Sequence, residues 1–265
     1  MKSDHYTLDN DFLHERGSCP EKNPLLIGDL IGEQMWKPVA GDLRFVMECL
    51  EKELRPVGRL LLKQLYRPAD HEFLIPPALV IFSGYLFSRE IKHYSPAVYM
   101  ALVYLGTMFH NRASVKDKNQ QLYILTGDFL FSHLLKLLND SQHLFLLERF
   151  ADLITTMNEG FSIMEELRME GEHPGREELI EIMRKQYGVF YGECCALGGL
   201  FAGGTEKEQS LLMEFGKYLG TAYGLKKMGI YFQPQQIMKD GWLTLSQLPA
   251  SEARNELENF ARGII

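Results

Sequence analysis

The sequence predicts an all-α protein. Apolar residues recur at helical spacing through most of the chain, as at Leu43, Val46, Met47 and Leu50 and again at Phe145, Leu146, Phe150, Leu153 and Ile154. No stretch alternates apolar and polar residues with a period of two between hairpin turns. Helix starts are punctuated by proline, with Pro77 and Pro96 both suited to a first helical turn. These signals add up to about ten helices of ordinary length. Connections are short and no Pro/Ser-rich linker interrupts them. One domain is therefore expected over residues 1–265, with 1–24 a loosely ordered polar tail.

In chain order, residues 42–65 carry helical spacing broken at Pro56. Ile75-Pro76-Pro77 leads into a helix over 78–87, and Ser95-Pro96 reads as a cap before a helix over 97–112. Further helices are expected over 121–138 and 141–169, and after the turn His173-Pro174-Gly175 over 177–203. The last of these has a small-residue middle at Gly192, Ala196, Gly198 and Gly199. Thr205-Glu206-Lys207-Glu208 is a capping box that opens a helix reaching Tyr231, where Gln233-Pro234 stops it. A short final helix follows Leu248-Pro249, with Ser251 as its cap.

Tyr94–Phe131 organises the rest. An uncharged helix ends abruptly at His110-Asn111-Arg112, a clipped polar loop follows, and Leu125-Thr126-Gly127-Asp128-Phe129-Leu130 lies in the next helix. A buried helix that delivers a polar cluster to a cavity has this pattern. Residues 93–111 are long enough to raise the question of a membrane span. Their Ser95, Pro96, Gly106, Thr107 and Asn111, between amphipathic neighbours, fit a buried core helix instead.

The net charge of −7 and the lack of a basic stripe with interleaved aromatics argue against nucleic acid. Four cysteines include the vicinal pair Cys194-Cys195 and no CxxC, which suits free thiols in a reducing compartment. The acidic, polar N-terminus is neither a signal nor a transit peptide, so a cytoplasmic protein is expected. No HxxxH or HExxH pair exists for a metal. Gly199–Thr205 echoes a phosphate loop but lacks its lysine and follows a helix, which favours close helix packing.

The order of segments resembles the trans polyprenyl diphosphate synthases, most closely the large component of bacterial two-component heptaprenyl-type synthases. Ile75-Pro76-Pro77 stands where that family has a basic-Arg-Pro motif, and Met108-Phe109-His110-Asn111-Arg112 where it reads apolar-apolar-His-Asp-Asp. Gly127-Asp128-Phe129-Leu130 matches its Gly-Asp-aromatic-Leu helix, and Gln186-Tyr187-Gly188 its Lys-Thr-Ala stretch. Leu219-Gly220-Thr221-Ala222-Tyr223 matches the lead into the second aspartate motif, and Leu248-Pro249 with Arg254, Leu257 and Ala261 the tail.

The resemblance implies a helical cavity in which two Asp-rich motifs hold Mg²⁺ ions against an allylic diphosphate. The first motif's aspartate positions fall on Asn111, Arg112 and Val115, and the second's on Lys227, Met228 and Tyr231; none is a carboxylate. A lysine ammonium ~4 Å from Mg²⁺ costs roughly 8 kcal/mol at an effective dielectric of ~20. Asp117 is the sole carboxylate in the adjoining loop, and the family's Arg-Arg-Gly-x-Pro-Thr loop is missing. The Lys-Thr-Ala lysine falls on Gln186, with Lys185 one residue away. No metal cofactor is therefore expected.

The resemblance thus implies a catalytically silent protein of isoprenoid biosynthesis. It would dimerise with itself or act as a non-catalytic partner or regulatory subunit of an active prenyl synthase. A second reading is a metal-independent isoprenoid or anion binder that uses Arg112, Lys185 and Lys227. A third is a residual prenyltransferase.

Overall fold

The computed structural model describes residues 34–54, 71–90, 94–113 and 119–265. Among them are ten α-helices and no strand. They are α1 (Ala40–Leu54), α2 (Ile75–Tyr85), α3 (Ser95–Arg112), α4 (Gln120–Asp140), α5 (Leu147–Glu170), α6 (Arg176–Met183), α7 (Val189–Phe201), α8 (Glu206–Lys227), α9 (Phe232–Ser246) and α10 (Glu252–Ile264). The break expected at Pro56 and the position Val115 lie outside the described residues.

Helix α3 is the centre. Every residue from Ser95 to Val103 is buried, followed by Leu105, Gly106, Thr107 and Phe109. A helix that is apolar all round needs partners on all sides. Helices α2, α4 and α7 supply them, with α1 joining from one edge. Its 18 residues span about 27 Å, so the polar residues at its C-terminal end are carried the full depth of the core.

The end of α6, the π turn Arg184–Gly188 and the small-residue helix α7 together run antiparallel to α8. Met183 meets Gly224, Tyr187 meets Gly220, and Tyr191 meets Gly216. A Cβ on Gly220 would stand 2.2 Å from the Tyr187 carbonyl oxygen, and one on Gly216 2.4 Å from that of Tyr191. Glycine here lets two backbones touch. On its other side α7 meets α2, where a Cβ at Gly198 would lie 2.2 Å from the Val80 carbonyl oxygen.

Several boundaries depart from the sequence expectation. Ser95 is the first residue of α3 and buried, not a cap; Tyr94 precedes it with helical dihedrals. Tertiary contacts set this start, because the Tyr94 and Tyr85 hydroxyls both donate to the carboxylate of Asp42 on α1. The helix expected over 177–203 is interrupted by a π turn at Arg184–Gly188. Helix α8 stops at Lys227 instead of reaching Tyr231. Gly229 takes φ +77°, and the Ile230 amide bonds back to the Leu225 carbonyl, closing a Schellman turn. Gln233-Pro234 ends nothing; it opens α9, where Pro234 occupies a first-turn position whose amide needs no intrahelical partner. The capping box at Thr205 and the Ser251 cap form as expected.

Candidate functional site

The C-terminal end of α3 opens on a cavity of about 310 Å³. Helix α3 contributes Tyr104, Thr107, Met108, Asn111 and Arg112, three successive turns of one face. Met157 and Phe161 come from α5; Gln186, Tyr187, Phe190 and Tyr191 from the π turn and α7; Lys227 from the end of α8; and Glu72 from the 3₁₀ turn His71–Leu74. Asn111, Arg112 and Lys227 thus line one cavity.

The remaining positions diverge. Lys227 is the last residue before the Schellman turn, so Met228 and Tyr231 emerge on the surface, 52% and 69% exposed. Tyr231 consequently leaves the helical face that Gly224 and Lys227 share. Lys185 does not line the cavity; its Nζ bonds Glu159 on α5 at 2.7 Å. Gln186 turns the other way, and its Nε2 donates to the Gly160 carbonyl oxygen at 2.9 Å in a buried contact. The π turn presses onto α5 at Gly160, where a Cβ would lie 2.8 Å from that of Lys185. Of the three cations considered for anion binding, Arg112 and Lys227 face the cavity and Lys185 does not.

Lys227 meets a carboxylate there. Its Nζ donates to Glu72 Oε2, and the Tyr104 hydroxyl donates to the same oxygen at 3.3 Å. Tyr223 lies beneath, with Lys227 Nζ 6.0 Å from its ring centroid. Burial, and then the negative charge of Glu72, push the Tyr223 phenol above its ordinary range. Burial alone leads for Tyr187 and Tyr191, which are raised as well. These phenols stay protonated near neutral pH.

Magnesium wants an oxygen-rich shell with carboxylates. Among the described residues Glu72 is the one carboxylate lining this cavity; it pairs with Lys227 and shares the cavity with Arg112. Among the described residues no group of three or more His, Cys, Asp or Glu side chains is placed to hold a metal. The described lining residues do not supply such a shell. Asp128 is used elsewhere, bonded to His110 at 3.0 Å, which pins the end of α3 to α4. Cys194 and Cys195 are wholly buried, and burial pushes the Cys195 thiol up to about 12, which makes it unreactive.

Sequence reasoning had not placed Glu72 or the tyrosines in the site. Tyr104 was findable, because it precedes Met108 and Asn111 by one and two helical turns. Glu72 stands where the resemblance has basic residues before Pro76, but its pairing with Lys227, 155 residues away, was not legible in the sequence.

Solved structures share this helical fold. A decaprenyl diphosphate synthase from Rhodobacter capsulatus superposes with TM-score 0.72 at 14% identity, covering 90% of this chain and 98% of that one. A geranylgeranyl pyrophosphate synthase from Lactobacillus brevis gives TM-score 0.73 at 14% identity, covering 89% and 99%. In sequence, the octaprenyl diphosphate synthase of Haemophilus influenzae is 24% identical over 102 residues, 38% of this chain and 31% of that protein. The Escherichia coli octaprenyl diphosphate synthase is 22% identical over the same length. The match thus spans about a third of these curated relatives. No family model matches the chain. Sequence and structure neighbours together point to the trans-polyprenyl diphosphate synthase family.

Proposed function

We propose that this chain is a catalytically silent polyprenyl-synthase-like protein of isoprenoid biosynthesis, acting as a non-catalytic partner of an active prenyl diphosphate synthase. The observation that carries this is the ion pair Lys227–Glu72, with Arg112 lining the same cavity, where the fold's chemistry calls for facing carboxylates. Loss of metal-binding character beside an intact apolar core favours a role in assembly over one in turnover. Exposed apolar residues on and after α4, among them Leu122, Leu125, Leu135 and Phe145, offer a face for a second subunit. No helix among the described residues is long and apolar enough to cross a membrane. A cytoplasmic location accords with the buried free thiols Cys49, Cys194 and Cys195.

The test is pull-down of the tagged chain from its native host, followed by an assay with radiolabelled isopentenyl diphosphate, an allylic diphosphate and Mg²⁺. Recovery of a synthase, together with no elongated product from the isolated chain, is expected. Elongated product from the pure chain, or recovery of homodimers alone, overturns the proposal.

A second reading, a metal-free ligand cavity, is favoured by the aromatic lining. Phe161, Tyr187, Phe190 and Tyr191 surround a space at the lower end of the range of small-molecule sites.

A further inference from the structure

The cavity at the end of α3 carries its own anion. Glu72 Oε2 accepts hydrogen bonds from Lys227 Nζ and from the Tyr104 hydroxyl. A carboxylate held by an ammonium and a phenol is how a bound anionic head group would be coordinated. Here the protein supplies that group itself, from a 3₁₀ turn immediately before α2.

Two consequences follow for a ligand. The cation Lys227 is already committed, so a phosphate-bearing molecule would have to displace Glu72 or sit beside its negative charge. Like-charge juxtaposition of this kind is a usual means of rejecting a wrong ligand. The remaining surface is suited to something else. Met157, Phe161, Tyr187, Phe190 and Tyr191 form largely apolar walls, Thr107 and Asn111 on α3 offer neutral polar groups, and the Arg112 guanidinium lines the same end of the cavity.

We propose that this cavity binds an uncharged, slender apolar molecule with a hydroxyl or carbonyl head, and that Glu72 is the resident anion that keeps diphosphate-headed molecules out. This inference rests on the second reading above, a metal-free ligand cavity, and assigns the class of ligand it takes.

The experiment is calorimetric titration of the full chain in EDTA with geraniol and, separately, with geranyl diphosphate, two probes with the same tail. The wild-type protein is expected to bind geraniol and to show no heat with geranyl diphosphate. Glu72→Gln frees Lys227, so geranyl diphosphate affinity is expected to rise by roughly tenfold or more while geraniol affinity stays. The double variant Glu72→Gln/Lys227→Met is expected to lose that gain and keep geraniol binding. Circular dichroism and melting confirm folding, and Glu72→Ala carries the same expectation should Glu72→Gln not fold.

Equal wild-type affinity for the two probes, or an unchanged preference in both Glu72 variants, overturns the role of Glu72 but leaves a ligand cavity standing. Absence of binding to either probe in every variant overturns the cavity reading and this inference with it.

Discussion

Among the described residues Glu193 is a deeply buried ionisable side chain, 7% exposed and ion-paired with Arg149 Nε at 2.6 Å. Burial raises its carboxyl above the ordinary value, and Arg149 offsets this only in part. An acid whose pKa is higher in the folded than in the unfolded state lends stability that is complete below the unfolded pKa. That stability is lost as pH rises through the folded value. The contribution of Glu193 to stability is therefore expected to fall as pH climbs above its ordinary value of 4.5. Thermal melts across that window check the sign, and Glu193→Gln is expected to flatten the curve. A slope that is unchanged in the variant removes Glu193 from the account. The same physics separates Lys185 from Gln186. They are neighbours in sequence, yet one reaches out to Glu159 and the other inward to the Gly160 carbonyl.

At the scale of elements, the α7–α8 contact is the most demanding join in the molecule. Gly220→Ala drives a methyl group into the backbone of Tyr187, where no side-chain rotation relieves it, and is expected to cost about 2–3 kcal/mol. Gly41→Ala in α1 is the control. Nothing lies within 4 Å of its added Cβ, and helix propensity is expected to add up to about 1 kcal/mol of stability. Chemical denaturation of both variants tests the pair, and similar midpoints for the two would contradict the packing argument. This join was partly legible beforehand. The small-residue middle of α7 announced close packing, but not which helix would approach, since Gly216 and Gly220 sit in a helix of ordinary amphipathic appearance. Helix α9 was missed because Gln233-Pro234 reads equally as a stop and as a first turn. Its apolar positions Ile237, Met238, Trp242 and Leu245 hold helical spacing, and Trp242 packs on Phe215 and under Arg262.

For the whole molecule, the outer side of α4 and the turn after it are where assembly is expected to act. Leu125 is 66% exposed and Phe145 65%, values unusual for large apolar side chains that serve only the core of their own chain. The double substitution Leu125→Asp and Phe145→Asp touches no buried position. It is expected to leave the melting temperature within a degree or two and to abolish recovery of a partner synthase, measured by pull-down and size-exclusion chromatography. Undiminished recovery would place the interface elsewhere.

The sequence by itself determined the helical architecture, the buried central helix, the caps at Thr205 and Ser251, and the lack of carboxylates at the positions the resemblance implies for metal. All of these are local. Periodicity, capping chemistry and residue identity act over a few residues and survive without knowledge of the partner helix. Only the tertiary structure decided that Lys227 meets Glu72 across 155 residues, that the π turn sends Lys185 away from the cavity, and that Met228 and Tyr231 face solvent. Whether a cation is available to a ligand depends on which side chains stand within a few ångströms of it. That distance is set by how the helices pack, not by where residues fall along the chain.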